Sequence, residues 1–412
     1  MRVEIWRRIL MLLVYCLEKS VDIVRKHLLP LGTLILSVLL SLLAAEVVIR
    51  AARPQPRLVI TPGGFYTTDP PGRYRLSPGY RGRIYNRAEY DNEIRINTEG
   101  LRGEESGQQR EGLTRLLSIG DSFVFGVGVE DFETFTAVIA DRLVEQGIPA
   151  EGLNAGIPAF GVPDAVSWLS RHGIDLRPDV VILSIFQGND LVDASPDREE
   201  ILIVDGLLVP GKSAGGIKAW LYRHSHLYVL VKGLFEQPLL LPLRAKLGLG
   251  EPWKVRVLRE EFGVYRNEAT TELRPAIQAT DQALGDLVSL AAERGFAVIA
   301  ILIPSEIQVD PERWRSGLAS LDLSSEEYDP QVPTQIFTDL LNRHSIPTLD
   351  LGPVFARGLA AGEDLYFRLD RHWTKQGHEL AADAIGSFLT PRLNAKDPSD
   401  MARVAESEES RD

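Results

Sequence analysis

The sequence predicts a three-layer α/β/α fold around a central parallel sheet, with one transmembrane helix ahead of it. Three observations carry that expectation. From Leu116 onward, short apolar runs alternate with helical segments; the first three runs end in polar, glycine-containing loops; and residues 28–45, LLPLGTLILSVLLSLLAA, form an uncharged run near the N-terminus.

The runs Leu116–Ile119, Gly152–Ile157, Val180–Phe186, Ala297–Ile303 and Thr348–Leu351 read as strands, and the periodic stretches near Thr134–Gln146, Pro163–His172, Leu273–Arg294, Gln335–His344 and Lys375–Leu389 as helices. Strands joined by single helices need crossovers, which gives a parallel sheet covered on both faces. The uncharged run, as a helix, covers roughly 27 Å at ~1.5 Å per residue, close to the thickness of bilayer hydrocarbon. Pro30 falls in its first turn, where the missing N–H costs little. Lys and Arg are denser before the run (Arg2, Arg7, Arg8, Lys19, Arg25, Lys26) than directly after it (Arg50, Arg53, Arg57), so the N-terminus is expected in the cytoplasm and the bulk of the chain outside the cytoplasmic membrane. A cleavable signal peptide is the rival, since Leu43-Ala44-Ala45 offers small residues. The preceding region is longer than a usual signal n-region, so a retained anchor is expected. Ile9–Leu17 is too short to span and reads as an interfacial amphipathic helix.

At 412 residues, 44% apolar and 25% charged, the chain has ample material for a buried core. The net charge is -12, and because residues 1–27 carry an excess of three positive charges, the remainder carries -15. That balance argues against nucleic acid as a partner. The one cysteine, Cys16, lies ahead of the apolar run and can form no disulfide within the chain. The expected organisation is an N-terminal segment (1–27), the transmembrane helix (28–49), a linker and strand-containing lead-in rich in Gly, Pro, Tyr and Arg (50–110), one large α/β domain (111–391) interrupted at about 193–272, and a disordered tail (392–412).

In an open parallel sheet, ligands bind beyond the carboxyl ends of the strands, so the loops there deserve inspection. Gly120-Asp121-Ser122 follows the first strand, Asn154-Ala155-Gly156 lies at the second, and Gln187-Gly188-Asn189-Asp190 follows the third. A serine hydroxyl needs a histidine base, and that histidine needs an acceptor for its other nitrogen. Asp370-Arg371-His372 offers both just ahead of the last helix, because residues i and i+2 of an extended or turn segment project to the same side. Acyl transfer also needs donors aimed at the developing oxyanion, and the Ser122 amide, an amide of the second loop and the Asn189 side chain are candidates.

These residues, in this order, resemble the SGNH, or GDSL-type, hydrolases: Gly120-Asp121-Ser122 is similar to the first block, Gly188-Asn189-Asp190 to the third and Asp370-x-His372 to the last, over about residues 115–390. Asn97-Thr98-Glu99-Gly100-Leu101-Arg102 resembles the stretch that precedes the catalytic domain in membrane-anchored members. The resemblance implies a flavodoxin-like sheet, with Ser122 as nucleophile, His372 as base and Asp370 as its orienting acid. It further implies an oxyanion site from the amides of Ser122 and Ala159 with Asn189. Two departures stand out. The second block presents Ala159 where the family has glycine, and Asp-x-His-Trp replaces the common Asp-x-x-His. The latter variant resembles the domain of alginate-type O-acetyltransferases, although there it precedes the serine.

The implied activity is hydrolysis of O-acyl esters, O-acetyl groups of envelope or exported carbohydrate in particular, through an acyl-serine and with no metal or organic cofactor. An O-acetyltransferase using the same triad, and a non-catalytic carbohydrate-binding or assembly protein, are the alternatives. Other motifs read more plainly. G-x-x-x-x-G-K-S at Gly206–Ser213 is better explained as part of a hairpin over Ile201–Pro210 than as a nucleotide cradle, since Pro210 lacks an amide and Gly215-Gly216 start a helix poorly. Asp121 and Asp190 read as capping carboxylates, Ser213 as a loop residue and His378 as a surface histidine. His172, His224, His226 and His344 receive no role. The interruption, with IKAWLYRHSHLYVLVKGLFEQPLLLPL, reads either as packing against the sheet or as a lid or interfacial helix beside the site.

Overall fold

Alternation of large apolar and polar residues organises the lead-in before the main sheet begins. In the computed structural model, which describes residues 2–393 apart from 24–25, 27–28, 54, 56–58, 71–72, 87–88, 108–109, 199–200, 205–206, 211–216 and 236–252, five short strands come first. They are β1 (Val59–Thr61), β2 (Tyr66–Asp69), β3 (Arg73–Leu76), β4 (Arg81–Asn86) and β5 (Tyr90–Arg95). β1, β4 and β5 form one antiparallel sheet and β2 and β3 another. Tyr66, Tyr74, Leu76, Ile84, Tyr90 and Ile94 point inward and share one apolar cluster with the main sheet. The lead-in is therefore sealed into the core of the α/β region rather than strung ahead of it.

The main sheet holds five parallel strands: β6 (Thr114–Gly120), β7 (Ala150–Gly156), β8 (Val180–Phe186), β11 (Ala297–Ile303) and β12 (Thr348–Asp350), in the order β7-β6-β8-β11-β12. Between β8 and β11, β9 (Ile201–Val204) and β10 (Leu207–Pro210) form the antiparallel hairpin expected there. The five-strand order is the flavodoxin-like one, and it explains where the site lies. The chain leaves β6 toward β7 on one side and returns to β8 on the other, opening a crevice at the carboxyl end of β6.

Side chains divide by the two-residue period of a strand. Leu117, Ile119, Val181, Leu183, Ile185, Ala300 and Leu302 join one cluster, with helices Val162–Arg171, Arg274–Arg294 and Val332–Arg343. Leu116, Val180, Ile182, Ile299, Ile301 and Ile303 join the other, with helices Phe135–Glu145, Gly352–Ala360 and Lys375–Leu393. Each fully buried Leu, Ile or Val stabilises the fold by about 1.5–3 kcal/mol, so a strand slipped by one residue would exchange both faces at once. Helices Pro311–Leu321 and Gly352–Ala360 are additions to the sequence reading. Each opens on Pro at its start and carries an interior glycine, which blurs the helical signal.

Met1–Gln55 with Gly216–Leu240 form one compact unit, and Pro56–Gly215 with Leu241–Asp412 the other. In the first, helix Leu29–Ala52 has a mean hydropathy of 2.3 over its best window, none of it buried, and is the one helix among the described residues long and apolar enough to cross a membrane. Its Glu46 carboxylate accepts from Ser225 Oγ (2.8 Å), His226 N (2.9 Å) and Leu227 N (2.8 Å), capping helix His226–Phe235. Arg50 donates to the His224 carbonyl at 2.7 Å, at the end of helix Ile217–His224. These two helices of the interruption thus pack on the N-terminal helix. The glycine-rich Gly211–Ser213, the segment QPLLLPL and the tail from 394 onward lie outside the described residues.

Candidate active site

Local backbone chemistry builds the Ser122 turn. Gly120 ends β6 at a φ of 152°, and a Cβ there would sit 2.6 Å from the Ser184 carbonyl oxygen of the neighbouring strand. The one-turn helix Ser122–Phe125 follows, capped by Asp121, whose Oδ1 accepts from Phe123 N at 2.9 Å. Such a cap is worth about 1 kcal/mol. At the end of β7, Gly156 lies so close to this turn that a Cβ would meet Phe125 N at 2.0 Å. Asn154 Nδ2 donates to the Val124 carbonyl at 2.7 Å, and the buried Arg102 guanidinium donates to the Phe125 carbonyl at 2.6 Å and also to that of Gly126.

Tertiary contacts build the other loop. Phe367 N donates to the His372 carbonyl (2.8 Å) and Arg371 N to the Phe367 carbonyl (3.0 Å), with Arg371 in the left-handed region at φ 70°. That reversal brings Asp370 and His372 to one side. His372 Nδ1 and Asp370 Oδ1 are hydrogen-bonded, and His372 Nε2 stands 2.8 Å from Ser122 Oγ. The two residues are 250 apart in sequence. Trp373, fully buried, stacks on Phe355 at 4.7 Å and meets Phe123 edge-on, so the Asp-x-His-Trp variant anchors the loop in the core. Arg371 pairs with Glu261 on helix Trp253–Phe262. Glu89 accepts from Leu369 N (2.8 Å) and Asp370 N (2.9 Å), and Tyr90 OH donates to Asp370 Oδ2 at 2.6 Å.

Charge follows geometry. Burial opposes ionisation of Asp370, yet the His372 charge and the hydrogen bonds from His372 and Tyr90 hold its carboxyl below the usual carboxylate range. Burial likewise favours a neutral His372, but Asp370 outweighs it and holds the imidazole above its ordinary value. Asp121 is pushed up to about 6, by burial. Asp190 is raised well above the usual range by burial and then by Asp121 and Asp193. It accepts from Phe186 N at 3.0 Å, so Asp190 ties the end of β8 rather than capping a helix, whereas Asp121 caps the Ser122 helix.

The remaining sequence-predicted positions lie at neighbouring loops. Ala159 has a φ of 64°. The position therefore needs the left-handed backbone that suits glycine, and alanine adopts it here at a cost of roughly 1–2 kcal/mol. The Tyr74 hydroxyl donates to its carbonyl at 3.1 Å. Asn189 Nδ2 donates to Asp193 at 2.9 Å, committing one of its two N–H groups.

His378 corrects the sequence reading. It is buried, its Nδ1 accepts from Phe135 N at 3.2 Å, and its ring stacks on Phe135. Burial pushes it down to about 3. His172 and His344 pair with Asp69 and Asp281. Arg102, Glu89 and Tyr90 reach this site without having been singled out individually. Only Arg102 carried a signal, as the end of the Asn97–Arg102 stretch.

None of the curated proteins matches the chain in sequence. Residues 264–411 match the family model described as the SGNH hydrolase-like domain, acetyltransferase AlgX, a span that holds Asp370 and His372 and not Ser122. Similar solved structures include the acetyl xylan esterase AlAXEase (13% identity, TM-score 0.36, covering 66% of this chain and 98% of that one). The esterase EstA from Pseudoalteromonas sp. is 13% identical, with a TM-score of 0.37, over 68% of this chain and 100% of that one. A lipase/acylhydrolase from Enterococcus faecalis is 15% identical, with a TM-score of 0.35, over 68% and 96%.

Proposed function

We propose that this chain, whose residues 264–411 match the model of an SGNH hydrolase-like domain, is a serine esterase cleaving O-acyl esters, acetyl esters of envelope or exported carbohydrate above all. The observation that carries the reading is the continuous line of hydrogen bonds from Ser122 Oγ through His372 to Asp370. Ser122 Oγ attacks the ester carbonyl while His372 Nε2 takes its proton, and Asp370 stabilises the imidazolium. The alcohol leaves with that proton, and water, deprotonated by the same nitrogen, clears the acyl-serine. In this scheme the amides of Ser122 and Ala159 and the second N–H of Asn189 serve as donors to the oxyanion, each lowering the barrier by about 2.7–4 kcal/mol.

A second reading, transfer of the acetyl group to a carbohydrate hydroxyl, is favoured by the acetyltransferase description of the matching family model and by Asp-x-His-Trp. Only the acceptor differs. Purified protein incubated with an acetyl ester, with and without an oligosaccharide, decides. Acetate released at the same rate in both supports the esterase, acetyl appearing on the sugar supports the transferase, and neither product refutes both.

The location follows from residues 28–49, taken as a retained span with its N-terminus inside and the catalytic unit outside the cytoplasmic membrane. Helices Ile217–His224 and His226–Phe235, tied to Glu46 and Arg50 at the end of the uncharged run, then lie at the membrane surface with Ile217, Trp220, Val231 and Leu234 exposed. In a Cys16→Ser background, fluorophores on Ile35→Cys and Trp220→Cys are expected to be quenched by lipids brominated deep in the chains and near the headgroups, respectively. An unquenched Ile35→Cys label refutes the span, and an unquenched Trp220→Cys label alone refutes the surface contact.

A further inference from the structure

The lead-in supplies a side chain to the catalytic acid, and no local motif announces it. Tyr90 opens β5, and its hydroxyl reaches Asp370 Oδ2 at 2.6 Å across 280 residues of sequence. Asp370 Oδ1 is the oxygen that His372 holds. The preceding residue, Glu89, grips the backbone N–H groups of Leu369 and Asp370. The Tyr90 ring packs on Phe367 at 5.0 Å between centroids. Gly128 closes the other side, since a Cβ there would lie 2.4 Å from Phe367 and 3.0 Å from Tyr90. Aromatic packing, a carboxylate clamp and a hydroxyl thus converge on one loop.

We propose that Tyr90 is a positioning residue of this site: its hydroxyl locks the Asp370 carboxylate in the orientation that serves His372 and sets how basic His372 is. The inference rests on the serine-esterase reading. A buried carboxylate oxygen without a donor is costly, and a carboxylate free to rotate would lose its bond to the imidazole. Tyr90 prevents both. It also draws negative charge toward its own proton, which leaves less for His372. The groups that face this pair are few. Asp370 meets His372, Tyr90 and the backbone held by Glu89, while His372 meets Asp370, Asp121, Arg371 and, through charge, the buried His378. Burial and the neighbouring Asp370 charge keep the Tyr90 hydroxyl protonated, so it acts as a donor throughout the working range.

The test is kcat/KM for a soluble acetyl ester against pH, using the full chain in detergent, for wild type and Tyr90→Phe in parallel. Phenylalanine keeps the ring on Phe367 and removes only the hydroxyl. The expected result is a kcat lower by roughly tenfold, the scale of one hydrogen bond to a charged group, with KM within about twofold. The acid limb is expected to move to higher pH, because a carboxylate with one donor fewer holds the imidazolium proton more tightly. A Tyr90→Phe profile that superimposes on an active wild type, or a lower thermal midpoint as its only change, overturns the proposal and leaves the esterase reading intact. A wild type without turnover overturns both.

Discussion

The two loops that meet at the site are held in opposite ways. Gly120, the Asp121 cap and Gly156 shape the Ser122 turn through contacts with backbone close at hand or on the adjacent strand. The Asp370–His372 loop depends on Glu89, Tyr90 and Glu261, which are 281, 280 and 110 residues from their partners. The Ser122 turn is thus built mainly by turn chemistry, with Arg102 of the lead-in holding its far end through the Phe125 and Gly126 carbonyls. The Asp370–His372 pair is held by tertiary structure, with the lead-in and a helix of the interruption as the supports.

That contrast breaks in a definite order. Ser122→Ala and His372→Ala are each expected to lower kcat by about a millionfold, as for residues that act as one unit, and retained turnover in either would show that the two loops do not cooperate. Asp370→Asn is expected to cost about 10⁴-fold. It also moves the acid limb of kcat/KM to lower pH, because His372 is held above its ordinary value by the Asp370 charge that the change removes. Trp373→Ala should lower stability by roughly 3–5 kcal/mol, read as a fall in denaturation midpoint, since it empties a fully buried site under the loop.

Smaller effects sharpen the comparison. Glu89→Ala leaves two backbone N–H groups of the acid's loop without their acceptor, at roughly 1–3 kcal/mol. Its signature is a kcat loss with Ser122 still ordered, seen as unchanged nuclear resonances for the Phe123–Phe125 turn. His378 gives the signal most confined to one range of pH. Its folded value of about 3 lies below the ordinary 6.5, so the unfolded chain takes up a proton that the folded one refuses. Stability therefore falls as pH drops through that window, and His378→Gln should flatten the fall in urea titrations between those limits.

The same division explains what the sequence made legible. Val180–Phe186 and Ala297–Ile303 read as strands to the residue, because a parallel strand buried on both faces is a continuous apolar run. Ser122, Asp370 and His372 stood out because their chemistry asks for those residue types in loops at one edge of the sheet, after a strand for Ser122 and just ahead of the last helix for the pair. Glu89 and Tyr90 did not, because their partners lie nearly three hundred residues away and no periodicity links them. His378 misled because a histidine at a helix start resembles a surface residue until Phe135 N is seen to need an acceptor. Ala159 hid a left-handed backbone that glycine would have announced. Gly-Pro at the start of Gly352–Ala360 disguised a helix that packs on the sheet.

The pairing of Ser122 with His372 is tested most directly by treating the full chain with a fluorophosphonate and mapping the adduct by peptide mass spectrometry. The account predicts one modified serine, Ser122, with labelling abolished in Ser122→Ala and slowed by orders of magnitude in His372→Ala. An unlabelled wild type, or labelling of Ser122 at an unchanged rate once His372 is gone, would contradict it.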